Sequence, residues 1–72
     1  MKKFAIYFIN SDDKSCILGI EKDYDTALNK SKLYNRLEKV YVYEYESETS
    51  VDEDLSHLLE LEDEIDRSIN EE

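Results

Sequence analysis

Seventy-two residues carry 19 Asp and Glu against 9 Lys and Arg, a formal net charge of −10, with hydrophobic residues at 40%. A chain of this length supports one small domain with a thin core, and its acidity argues against direct binding to a nucleic-acid backbone or an anionic membrane. One cysteine (Cys16), one histidine (His57), one glycine (Gly19) and no proline exclude an internal disulfide framework, a multi-histidine metal site and a glycine-rich phosphate loop.

The chain opens with Met1-Lys2-Lys3 ahead of the apolar run Phe4–Ile9, the outline of an export signal. That run is too short, and Asn10-Ser11-Asp12-Asp13 ends it without a small-residue cleavage site. No stretch approaches the ~20 apolar residues of a membrane span. A lone cysteine and no export signal make the cytoplasm the expected compartment.

Residues 3–9 are rich in Phe, Ile and Tyr, the types that fit a pleated surface. Phe4, Ile6 and Phe8 fall on one face and Ala5, Tyr7 and Ile9 on the other, so this strand is expected to be central and covered on both sides. After the polar loop from Asn10 to Ser15, Cys16–Ile20 forms a second apolar run, and residues 3–21 read as a β-hairpin. From Tyr24 to Arg36 the spacing turns helical: Tyr24, Ala27, Leu28, Ser31 and Tyr34 share a face, and Asp23 or Asp25 can cap the start. Val40 and Val42 then alternate with Tyr41, Tyr43 and Tyr45, the period of a third strand. Ser50-Val51-Asp52-Glu53 is a capping box that opens a helix with the stripe Leu55, Leu58, Leu59, Leu61, Ile65 and Ile69.

The elements predict an α+β fold, β-β-α-β-α, with a three-stranded antiparallel sheet of order 2-1-3 and two helices. Residues 1–72 read as a single domain, with the sheet and first helix in 1–49 and an acidic C-terminal helix in 50–72. That helix is expected either to cover the free face of the sheet or to dock on a second copy of the chain.

The charge is unevenly placed. Residues 1–36 hold five acids and seven bases, whereas residues 37–72 hold fourteen acids and two bases, Lys39 and Arg67. Ten of those acids lie between Asp52 and Glu72. Read as one continuous helix of ~30 Å, they give about one charge per ~3 Å, near the ~3.4 Å axial spacing of phosphates on one DNA strand. On a helical wheel Glu53, Glu60, Glu64 and Glu71 lie opposite the Leu/Ile stripe, with Asp52 and Asp63 flanking them. Glu44, Glu46 and Glu48 extend the negative surface back along the third strand. Glu60–Glu64 and Glu62–Asp66 are like-charge i,i+4 pairs, each unfavourable by roughly 0.2–0.5 kcal/mol. Surfaces shaped only for solubility ordinarily intersperse Lys with Glu.

Other constellations carry less chemistry. Tyr41, Tyr43 and Tyr45 form a stripe that can pack under the terminal helix or serve an interface. His57 reads as a surface histidine at the edge of the acidic face, and Cys16 as a small buried hydrophobe. The acids lack an EF-hand pattern, and no catalytic constellation stands at a recognisable spacing, so no metal, no cofactor and no enzymatic activity are expected.

In size, acidity from Glu44 to Glu72 and lack of catalytic groups, the chain resembles the small acidic inhibitors that bacteriophages make to take over host machinery. Several of these act as DNA mimics, placing carboxylates where phosphates would lie. The resemblance implies a partner with a basic DNA-binding surface, such as nucleoid protein HU, the sliding clamp or another DNA-processing protein. It also implies partner-binding acids at Glu44, Glu46, Glu48, Asp52, Glu53, Glu60, Asp63, Glu64 and Glu71. The alternative is an antitoxin-like or adaptor module that lays its apolar stripe into a partner's groove. Its interface would draw on Tyr41, Tyr43, Tyr45, Leu58, Leu61 and Ile65. A thin core also favours a homodimer.

Overall fold

The structure is a computed structural model that describes residues 1–34 and 40–70. Its elements run β1 (Lys2–Ile9), β2 (Ser15–Glu21), α1 (Tyr24–Leu33), β3 (Val40–Glu46), α2 (Val51–Ser56) and α3 (Leu58–Asn70). The sheet is antiparallel in the order β2-β1-β3, so the strand apolar on both faces is indeed central.

Each face of β1 feeds its own core. Phe4 and Ile6 pack with Ala27 of α1, joined by Leu18, Tyr34, Val40 and Val42. Ala5 packs on the opposite face with Ile20, Leu61 and Ile65, joined by Tyr7, Ile17, Tyr43, Tyr45, Val51 and Leu58. The result is three layers, α1 against the sheet against α2 and α3. Among the described residues no helix is long and apolar enough to cross a membrane.

A bulge in β2 makes the second core possible. Ile6 stands opposite Gly19 while Tyr7 stands opposite Ile17, which leaves Leu18 as the extra residue. Ile17 and Ile20 are three apart and would face opposite sides of an unbroken strand. With Leu18 bulged, both reach the α3 core while Leu18 joins the α1 core. The hairpin loop is held by Asn10, whose side-chain oxygen accepts from the amides of Asp12 and Lys14 at 2.9 and 3.0 Å. Asp13 takes a left-handed backbone there, with φ 60°.

Asp23, not Asp25, caps α1: its Oδ2 accepts the Thr26 amide at 3.0 Å. The helix expected to run to Arg36 ends at Leu33, with Tyr34 as its C-cap, and Asn35 and Arg36 lie outside the described residues. Ser50 Oγ accepts the Glu53 amide at 3.2 Å, as the capping box predicts. The single acidic helix expected from there on is instead two. His57 ends α2, its amide donating to the Asp54 carbonyl, and its own carbonyl receives the amides of Glu60 and Leu61. The break re-aims the stripe: Leu61 and Ile65 are buried, but Leu55 and Ile69 are exposed and Leu59 is 83% exposed.

Candidate functional site

The C-terminal carboxylates divide by the direction in which the fold points them. Three turn inward. Asp54 meets Lys3, a β1 residue whose side chain is only 1% exposed, with Nζ 2.8 Å from Oδ2. Lys3 also donates to Ser47 Oγ at 3.0 Å and to the Thr49 carbonyl, so all three ammonium hydrogens have acceptors. Asp54 accepts further bonds from Tyr45 Oη at 3.0 Å, Ser47 Oγ at 3.0 Å and Thr49 Oγ1. Burial by itself would raise the Asp54 carboxyl, but the hydrogen bonds from Lys3, Thr49, Ser47 and Tyr45 together outweigh it and hold the group at about 2. The same contact, added to burial, pushes the Tyr45 hydroxyl well above its ordinary range.

Glu62 and Asp66 of α3 also turn inward, onto the outer edge of β2. Asp66 Oδ1 accepts the Ser15 amide and Glu62 Oε2 accepts the Ile17 amide, both at 2.8 Å. Ser15 Oγ donates to the Glu62 carbonyl at 3.1 Å. An edge strand presents unpaired amides that invite foreign strands, and here α3 closes it with two carboxylates. Their like-charge i,i+4 cost is thereby offset by charge-assisted hydrogen bonds.

The acids that remain face outward. Glu44, Glu46, Glu48, Asp52, Glu53, Glu60, Asp63 and Glu64 are all exposed. Glu71, the ninth acid expected at the site, lies outside the described residues. An open cleft of about 170 Å³ is lined by Tyr45, Glu46, Ser47, Asp54, His57, Glu60, Leu61 and Glu64. Glu60 and Glu64 belong to α3, which packs on the Tyr43 and Tyr45 face of the sheet, whereas strand alternation puts the Glu46 side chain with Val42 and Glu44 on the α1 face. Opposing charge is sparse: Lys2 lies 3.9 Å from Glu44, and Arg67 lies 3.0 Å from Asp63.

Ser47, His57 and Asp54 all line this cleft, the residue types of a nucleophilic triad, but they are not wired as one. Both Asp54 oxygens are engaged by Lys3, Tyr45, Ser47 and Thr49, and Ser47 Oγ contacts Asp54 and Thr49. In a triad the carboxylate orients the imidazole, and here the Asp54 oxygens are bonded to Lys3, Tyr45, Ser47 and Thr49 instead. Among the described residues no group of three His, Cys, Asp or Glu side chains is placed to hold a metal ion.

The apolar residues expected at an interface divide differently. Leu61 is 8% exposed and Ile65 fully buried, so the fold's core takes up that part of the stripe, while Leu55, Leu59 and Ile69 stay exposed. Leu58 is half-buried against the same core. Tyr43 and Tyr45 stack at 6.3 Å with their rings against the α3 core, while Tyr41, beside Tyr7 at 5.5 Å, is 44% exposed. Two features had no marker in the sequence: the burial of Lys3, and the use of Glu62 and Asp66 as edge caps. Lys3 follows another lysine in a polar start, and the caps depend on how α3 crosses β2. Comparison with protein-family models, with curated proteins and with solved structures found no match to this chain.

Proposed function

We propose that this chain is a non-enzymatic acidic inhibitor that acts in the cytoplasm of a bacterial host. It binds the basic DNA-binding surface of a host protein and competes with DNA by charge mimicry. The observation that carries this reading is the pair Glu60 and Glu64, exposed on α3 beside one open cleft that Glu46 of β3 also borders, with few opposing charges. Asp52 and Glu53 on α2 and Asp63 on α3 are exposed as well. These carboxylates stand on a scaffold whose inward face is locked by Leu61 and Ile65, so their placement is set before any encounter. Such a surface raises association rates with a basic groove and gives a steep salt dependence.

The inward turn of Asp54, Glu62 and Asp66 lowers the expected charge density. Among the described residues five exposed acids remain on α2 and α3, over a path of ~30 Å, or one per ~6 Å, with Glu71 and Glu72 outside the count. That is about half the axial density of a DNA strand. Mimicry here therefore means a few well-placed phosphate equivalents rather than a continuous strand.

The test is capture from bacterial lysate on the immobilised chain, eluted by a salt step or by duplex DNA, beside the variant Glu46→Lys, Glu60→Lys, Glu64→Lys. DNA-binding proteins should be captured, released by both eluants and lost from the variant, whose thermal unfolding should match that of the parent. Captured proteins that resist duplex DNA, or that bind the variant equally, would overturn the reading.

A further inference from the structure

The two edges of the sheet differ. The outer edge of β2 is bulged at Leu18 and closed by Glu62 and Asp66. β3 pairs with β1 without a register break from Lys2↔Glu46 to Phe8↔Val40, and its other side is a sheet edge. Which of its amides point outward follows from two observations. The Ser47 amide donates to the Met1 carbonyl, so odd-numbered residues of this strand bond inward, toward β1. The Ser15 and Ile17 amides point away from β1, so their β1 partners Ile9 and Tyr7 bond on the β3 side, where Tyr7 meets Tyr41. Both give the same result: the backbone groups of Val40, Val42, Glu44 and Glu46 face outward. Among the described residues nothing is hydrogen-bonded to that edge.

The side chains along the edge define what fits it. One face offers Tyr41, 44% exposed, with Tyr7 and Tyr43 half-buried beside it. The other face offers Val42 followed by the exposed Glu44 and Glu46. The β3 strand of a second copy carries no basic residue, so pairing with it would leave Glu44 and Glu46 without a cation from across the edge. An extended segment alternating apolar with basic residues would instead set its apolar side on the tyrosines and its cations on the two glutamates.

We infer that the free edge of β3 receives an extended basic segment of the partner protein as a fourth strand, paired through the backbone of Val42, Glu44 and Glu46. Main-chain hydrogen bonds supply affinity and the alternating faces supply selectivity. This shares with the reading above only the need for a basic partner, and it adds where and how that partner is held.

The probe is a blocked eight-residue peptide of alternating Lys and Val, titrated into isotope-labelled protein and followed by amide shifts and hydrogen exchange. The amides of Val42, Glu44 and Glu46 should shift and gain protection on binding. Methylating the peptide's amides on the one parity that faces β3, or the substitution Glu44→Pro, should weaken binding about tenfold or more by removing ladder bonds. Proline is tolerated where an edge amide points to solvent, and Glu44→Gln keeps the amide and should retain pairing with a shallower salt dependence. Should Glu44→Pro fail to fold, the methylated peptides still decide the question. Shifts confined to Glu60 and Glu64, or equal binding of the methylated and unmethylated peptides, would overturn strand addition while leaving the acidic surface as a binding face. No peptide binding at all would also overturn it, and the lysate experiment judges the wider reading separately. A dimer in sedimentation that Glu44→Pro abolishes would assign the edge to a second copy and overturn the inference.

Discussion

Lys3 and Asp54, separated by 51 positions, form an ion pair 2.8 Å long whose side chains are 1% and 11% exposed. The pair sits where the start of β1, the segment after β3 and the first turn of α2 meet, and Tyr45, Ser47 and Thr49 complete its hydrogen bonds. A buried ion pair is a weak source of net stability, because desolvation of both charges offsets their attraction. It does fix geometry. Here it ties α2 to the sheet at the base of the acidic cleft.

Removing one partner should cost far more than removing both. Lys3→Met leaves Asp54 buried without its cation and should destabilise the fold by about 3–5 kcal/mol, as should Asp54→Leu for the stranded ammonium. The double variant should be clearly more stable than the sum of the single effects, with a coupling of about 2–3 kcal/mol. Urea unfolding of the four proteins measures the cycle. Additive losses would show that the pair does not act as a unit.

Acid should unfold the protein through the same group. Asp54 titrates at about 2 when folded against 3.8 ordinarily, so its contribution is present above about pH 4 and is lost as pH falls through the folded value. The difference corresponds to about 2 kcal/mol, lost mainly between pH ~4 and ~2. Tyr45 acts in the opposite sense: its hydroxyl is raised by burial and by Asp54, so its contribution is present below pH 10 and declines as the unfolded chain ionises above it. Chemical denaturation across this range should give a plateau with losses at both ends. Asp54→Asn should flatten the acid limb.

The seal on β2 should be visible amide by amide. Glu62→Ala with Asp66→Ala frees the Ser15 and Ile17 amides, which should exchange faster while the Cys16 amide keeps its protection. Each lost bond should cost about 1 kcal/mol. The opened edge should also promote association at high concentration, read by light scattering. Unchanged exchange at Ser15 and Ile17 would show that the two carboxylates do not close the strand.

Much of the fold was legible in the residues themselves. Strand and helix periods, the Asp23 and Ser50 caps and the two-sided apolar pattern of Phe4–Ile9 predict the element order and the central place of β1, because they depend on near neighbours in the chain. The break at His57 was not legible, since the Leu/Ile stripe continues through it at helical spacing. Nor was the bulge at Leu18, which a run of five apolar or small residues, Cys16–Ile20, does not mark.

The sequence by itself determined that negative charge gathers in the second half of the chain and that three strands would form one sheet with the first helix on one face; that the C-terminal helices cover the other face was left to the structure. Only the tertiary structure decided which carboxylates work inside and which face the solvent. Asp54, Glu62 and Asp66 look like their neighbours in the sequence, yet α2 and α3 turn them onto Lys3 and the β2 edge, while Glu60 and Glu64 are left exposed beside the cleft. The physical reason is that charge is counted residue by residue, whereas the direction of a side chain is set by how a helix crosses a sheet.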